Sequence, residues 1–145
     1  MPGGAALTLT ALTLAVLGLS ACAGSQQRAR DEAVTAVRAE ALALRGVLAS
    51  AARGSSGAAQ LEAVRAALPD VPLEAAADGQ GVSVTGAMTA RGEVGGGLSY
   101  EGFIARVCLL YSIAADTGGT EIADAPCAAA VEAVAPADAT VQLEQ

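Results

Sequence analysis

Large side chains are almost missing from this chain, which holds one Phe, two Tyr and no Trp, while Gly takes 17 of its 145 positions. Ala, Val and Leu must therefore fill the core. Side chains that small let a helix approach its neighbour closely and leave few aromatic anchors for a ligand. The length allows one domain, and a domain of this size buries roughly two thirds of the surface that its unfolded chain exposes.

Charge narrows the function classes. Fifteen acids stand against eight arginines, with no Lys and no His, for a formal charge of −7, and every charged residue lies after Cys22. A field of that sign repels phosphate backbones, and the arginines are scattered along the sequence, so no nucleic-acid partner is expected. The Arg-only basic set and the excess of Ala and Gly read as GC-rich coding. Catalysis by a histidine base, a lysine nucleophile or a histidine-ligated zinc is excluded by composition.

Residues 5–20 form an uncharged run of Ala, Leu, Thr, Val and Gly, about the length of the apolar part of an export signal and short for a membrane span. The run closes on Leu19-Ser20-Ala21-Cys22. This tetrapeptide resembles the lipobox of bacterial lipoproteins, and the resemblance covers the export segment alone. It implies cleavage between Ala21 and Cys22, diacylglycerol on the Cys22 thiol, and acylation of the new amino group. Each buried methylene is worth about 0.8 kcal/mol, so two or three acyl chains hold a soluble domain at a bilayer. Ala23 rather than Asp follows the cysteine, which within the resemblance points to the outer membrane of a two-membrane cell. In a single-membrane cell it points to the outer face of the plasma membrane. An ordinary cleaved signal and a retained anchor are the plain alternatives.

The chain after the signal reads as helices, then strands, then a stapled end. Residues 22–27 are small and polar, as a lipidated tether would be. Across 28–53 the residues Val34, Val37, Ala41, Leu44, Leu48 and Ala51 recur in steps of three and four, which predicts an amphipathic helix. The same spacing fits a short coiled coil, but a stripe covering its own domain is the simpler reading. Gly54-Ser55-Ser56-Gly57 interrupts the pattern, and Leu61, Val64 and Leu68 resume it up to Pro69, which suggests a helical hairpin. Pro69, Asp70 and Pro72 mark a linker.

The period then changes to two: Val82, Val84, Met88 and Ala90 alternate with polar residues, Gly95-Gly96-Gly97 offers a turn, and a second strand covers 98–114. Its parity shifts between Tyr100 and Phe103, which suggests a bulge at Gly102. Residues 116–125 read as loop, Asp124-Ala125-Pro126 as a helix start with Asp as cap, 127–134 as a short helix, and 135–145 as a flexible tail. The expected architecture is α+β, one domain over 28–134: an N-terminal helical hairpin, a small antiparallel sheet and a short C-terminal helix. That order is loosely similar to cystatin-like and nuclear-transport-factor-like domains.

With Cys22 lipidated, Cys108 and Cys127 remain in a compartment that permits oxidation, and they are expected to form a disulfide. A redox or metal pair would want CxxC spacing or a histidine, and neither is present. Three other motifs attract attention. Asp116-Thr117-Gly118 resembles the Asp-Thr-Gly segment of aspartic proteases, but Gly119 departs from the pattern and the chain beyond is too short for the rest of such a subunit. Asp116, Glu121 and Asp124 lack the alternation of a calcium loop, so a solvated acidic loop is the better reading. The glycines at 92–97 do not join a strand to a helix, as a dinucleotide fingerprint would. The expected protein is thus a lipid-anchored envelope module that is not an enzyme, needs no cofactor or metal, and contacts another envelope protein or a small ligand. A small hydrolase working with Asp and Glu carboxylates is the alternative.

Overall fold

A computed structural model describes residues 7–96 and 99–143, with backbone alone for 7–23, 96 and 99. Helix α1 (Leu7–Ala52) is followed by α2 (Gly57–Ala67) and by strands β1 (Leu73–Asp78), β2 (Gly81–Gly96), β3 (Ser99–Ala114) and β4 (Thr120–Asp124). Helix α3 (Ala129–Val134) and the two-residue strand β5 (Ala139–Thr140) complete the chain. The sheet runs β1-β2-β3-β4 with all these neighbours antiparallel, and β5 adds to β3 in parallel. The α+β architecture expected from periodicity is the one formed.

The apolar stripe of α1 lies across one face of the sheet and does not await a partner helix. Its buried positions are Ala29, Ala33, Val37, Ala41, Leu44, Leu48 and Ala52. Against the expected stripe, Ala52 replaces Ala51, and Ala33 replaces Val34, which sits at the flank of the core. For Ala33 the reason is on the sheet. Gly92 presses against the backbone of Ala29 and Ala33, and only alanine on the helix side permits that approach.

Val82, Val84 and Met88 of β2 and Ala105, Val107, Leu109, Tyr111 and Ile113 of β3 meet the stripe from below. Tyr111, fully buried, donates its hydroxyl to the Ala41 carbonyl at 2.9 Å. Burial pushes this phenol up to about 12, because the phenolate would lose its water without gaining a donor. Gly54, at φ 77°, turns the chain after α1, and α2 closes the hairpin by burying Val64 and Gln60.

Several local expectations give way. β2 and β3 pair one to one from Gly81↔Ala114 to Gly96↔Ser99, so no bulge interrupts Gly102. The Arg91 guanidinium lies over Gly102, and Tyr100 is left exposed. Two strands form that the sequence pattern did not predict, β1 directly after the Pro69–Pro72 linker and β4 inside the expected 116–125 loop. β1 is a Leu-Glu-Ala-Ala-Ala-Asp segment of weak intrinsic strand preference that β2 recruits along its whole length. Its turn is fixed by the Asp78 carboxylate, which accepts the Gln80 and Gly81 N–H groups at 2.8 and 2.9 Å. β4 pairs the C-terminal part of β3 from Leu109↔Asp124 to Ile113↔Thr120, and α1 braces it through Arg45 Nε donating to the Thr120 carbonyl at 2.8 Å.

Asp124 therefore ends a strand and does not cap a helix; α3 starts after Ala128 with no side-chain cap. The segment expected as a loose tail runs along the sheet instead. Asp138 N donates to the Ile104 carbonyl at 2.9 Å, Val141 N to the Arg106 carbonyl at 2.8 Å, and Leu143 N to the Asp124 carboxylate at 2.9 Å. Residues 22–27, expected as a tether, are helical and continuous with α1.

Candidate functional site

The face of the sheet turned away from α1 carries the most distinctive construction. Cys108 lies there on β3, opposite Ala87, and it bonds to Cys127 with the two Cα atoms 5.4 Å apart. The disulfide is formed as the sequence suggested. Its partner end is the segment between β4 and α3, where Ala125 N also donates to the Cys108 carbonyl at 2.9 Å.

Two residues earlier along β3, Arg106 holds the other end of α3. Its guanidinium donates to the Ala135 carbonyl at 3.0 Å, to the Glu132 carboxylate at 3.2 Å and to the Thr140 hydroxyl at 2.7 Å. The side chain is almost fully buried, while Glu132 is half exposed. The fork of guanidinium donors allows one residue to tie a helix, a carbonyl and β5 at once. Nothing in the sequence marked Arg106, which occupies an ordinary alternating position.

Helix α3 is thus clamped at both ends while burying none of its own residues. Its alanines are too short to reach the sheet, and a cleft of about 610 Å³ remains beneath it. Pro72, Glu74, Thr85, Cys108, Pro126 and Val134 are among the residues that line it. A mostly apolar slot with a single carboxylate suits an apolar group, and it offers no acid–base pair for chemistry.

A second cleft of about 610 Å³ lies at the β1–β2 and β3–β4 turns, lined by Arg45, Asp78, Gln80, Ser112, Thr117 and Glu121 among others. This is the place to look for paired carboxylates. Asp78 is committed to its turn, as described above, and Arg45 to Thr120. The acids singled out in the sequence are not gathered. Asp116 sits exposed in the turn after β3, Glu121 is exposed on β4 at the edge of this cleft, and Asp124 accepts the Leu143 N–H. Among the described residues no group of three metal-ligating side chains comes together.

The side chains of Ala21 and Cys22, the expected cleavage and lipidation positions, lie outside the described residues; the backbone there is helical. Among the described residues no helix is long and apolar enough to cross a membrane. Comparison with known protein families, curated proteins and solved structures finds no match to this chain.

Proposed function

We propose that this chain is a bacterial envelope lipoprotein, cut before Cys22 and lipidated there, whose domain is a non-enzymatic binding or interaction module. The observation that carries the reading is Leu19-Ser20-Ala21-Cys22 at the close of an uncharged run. The Cys108–Cys127 disulfide supports an extracytoplasmic setting, since thiols persist reduced in most cytoplasms. The domain sits on the outer face of the plasma membrane, or on the outer membrane where the cell has one.

The binding reading is supported by the apolar cleft under α3, and the scatter of the acidic residues speaks against the hydrolase alternative. The occupant is an apolar side chain of another envelope protein or a small apolar ligand. Mass spectrometry of the N-terminal peptide from cells tests the anchor: a diacylglyceryl mass on Cys22 is expected. Cys22→Ala protein that stays wholly in the membrane fraction refutes it. Cross-linking in living cells from a photoreactive residue at Val134 tests the module. One recurrent envelope partner is expected, and a protein recovered alone turns attention to a small ligand.

A further inference from the structure

Lipid on Cys22 would hold a particular end of the domain against the bilayer. Because α1 is helical from Cys22 onward, less than one helical turn separates the anchor from the first contact with the sheet. Anchoring that close to the fold holds this end of the domain near the surface. Ser25 follows Cys22 by three residues, about 4.5 Å of helical rise, and its hydroxyl donates to the Glu101 carboxylate at 2.9 Å. Further along α1, Gly92 packs on Ala29 and Ala33, Tyr111 bonds Ala41, Arg45 bonds Thr120, and Gly118 lies beside Ala52. The β2–β3 pair therefore runs along α1, with its Gly96↔Ser99 end toward Cys22. From Glu101 the pairing continues two residues, to Gly96↔Ser99, about 7 Å of strand, which brings that pair level with Cys22.

At that end Tyr100 stands 63 % exposed opposite Gly95, on the face of the sheet turned away from α1, while Val94 is half-buried on the α1-facing side. The chain's other two aromatics are placed inward: Tyr111 fills the core and Phe103 packs at its edge under Arg30. A tyrosine with an apolar ring and a polar hydroxyl suits the boundary between headgroups and acyl chains. Charge does not oppose the contact. Arg28, Arg30 and Arg91 stand against Asp31, Glu32, Glu93 and Glu101 among the residues of this end, with Arg91 paired to Glu93, so it carries about −1 of the chain's −7.

The geometry points to Tyr100, at the Gly96↔Ser99 end of the β2–β3 pair, as a second membrane contact seated in the lipid interface, with the domain standing on the bilayer by that end. This rests on lipidation at Cys22. The absence of Trp supplies the experiment: the lipidated full chain, carrying Tyr100→Trp or, separately, Leu42→Trp, is reconstituted into phosphatidylcholine–phosphatidylglycerol vesicles with or without brominated acyl chains. Leu42 is also exposed, at 54 %, and lies twenty residues along α1 from Cys22, about 30 Å away.

The expected result is a blue-shifted Tyr100→Trp emission that brominated lipid quenches for the most part, with Leu42→Trp unaffected. Vesicle-bound, lipidated Tyr100→Trp protein without quenching overturns the Tyr100 contact and leaves the anchor intact. Quenching of both reporters shows a domain lying flat and overturns the end-on attitude. Protein without the diacylglyceryl mass refutes the anchor, and the Tyr100 contact with it.

Discussion

Replacing Gly92 by alanine adds one methyl group where the sheet touches α1. A Cβ built there would lie 2.6 Å from the Ala33 nitrogen and 3.0 Å from the Ala29 carbonyl carbon, and it would collide with the Ala29 oxygen. Ordinary carbon contacts need about 3.5 Å, so helix and hairpin must part by about 1 Å. These are backbone atoms of a continuous helix, and no side-chain rotation relieves them. A gap of that width forfeits a quarter to a half of each contact's dispersion energy along the seam, roughly. Overpacked cores lose about 1–3 kcal/mol, and Gly92→Ala belongs at the upper end, with a fall in Tm of about 10 °C for a domain of this length.

Urea unfolding followed by far-ultraviolet circular dichroism measures the loss. Gly46→Ala is the matched control: it lies mid-helix with open space around it and should gain about 0.5–1 kcal/mol. Gly92→Ala protein unfolding at the wild-type midpoint would refute the argument that backbone proximity selected the small residues on α1.

Three further outcomes follow from the packing. Cys108→Ala/Cys127→Ala protein, opening a disulfide of sequence separation 19, should lose about 3 kcal/mol in urea unfolding, and non-reduced wild type should take no alkylating label at these positions. Tyr111, with its folded pKa raised from 10.0 to about 12, contributes fully to stability below the unfolded value and loses that contribution as pH climbs from the first value to the second. The loss is on the order of 2–3 kcal/mol. Tyr111→Phe should lack this alkaline component at a cost of about 1 kcal/mol at neutral pH, and unfolding at both pH values checks it. Gln60 is fully buried with Oε1 unpartnered, and the Ala114 carbonyl that it serves also accepts the Gly118 N–H at 3.0 Å. Gln60→Leu should therefore be neutral or stabilising by up to about 1 kcal/mol, and a clearly lowered urea midpoint would contradict that.

Where the sequence carried a strong period, it was legible. The three-and-four spacing from Val37 to Leu48 placed the long helix, and the alternation from Phe103 to Ile113 placed the central strand, since each pattern has one buried face to specify. Cys108 and Cys127 could be paired because no third cysteine remained once Cys22 was assigned to lipid. The missed strands had no such signal. Ala75, Ala76 and Ala77 favour helix, and Glu121 and Asp124 suggest loop. The apolar cleft was not legible either, since it depends on what α3 fails to fill. The acidic residues that invited a catalytic or calcium reading were legible as candidates only, and folding disperses them.

By itself, the sequence determined the small-residue core, the absence of histidine and lysine chemistry, the uncharged run that ends at Cys22, and the helix-then-sheet order. These depend on composition and short-range period, which no packing arrangement alters. Tertiary structure alone decided that β2 and β3 would recruit β1 and β4, that Arg106 would be buried as the clamp on α3, and that Glu101 would lie beside Ser25. Each of these brings together residues distant in the chain. Their energies come from paired backbone groups and desolvated contacts that exist only once the sheet has formed.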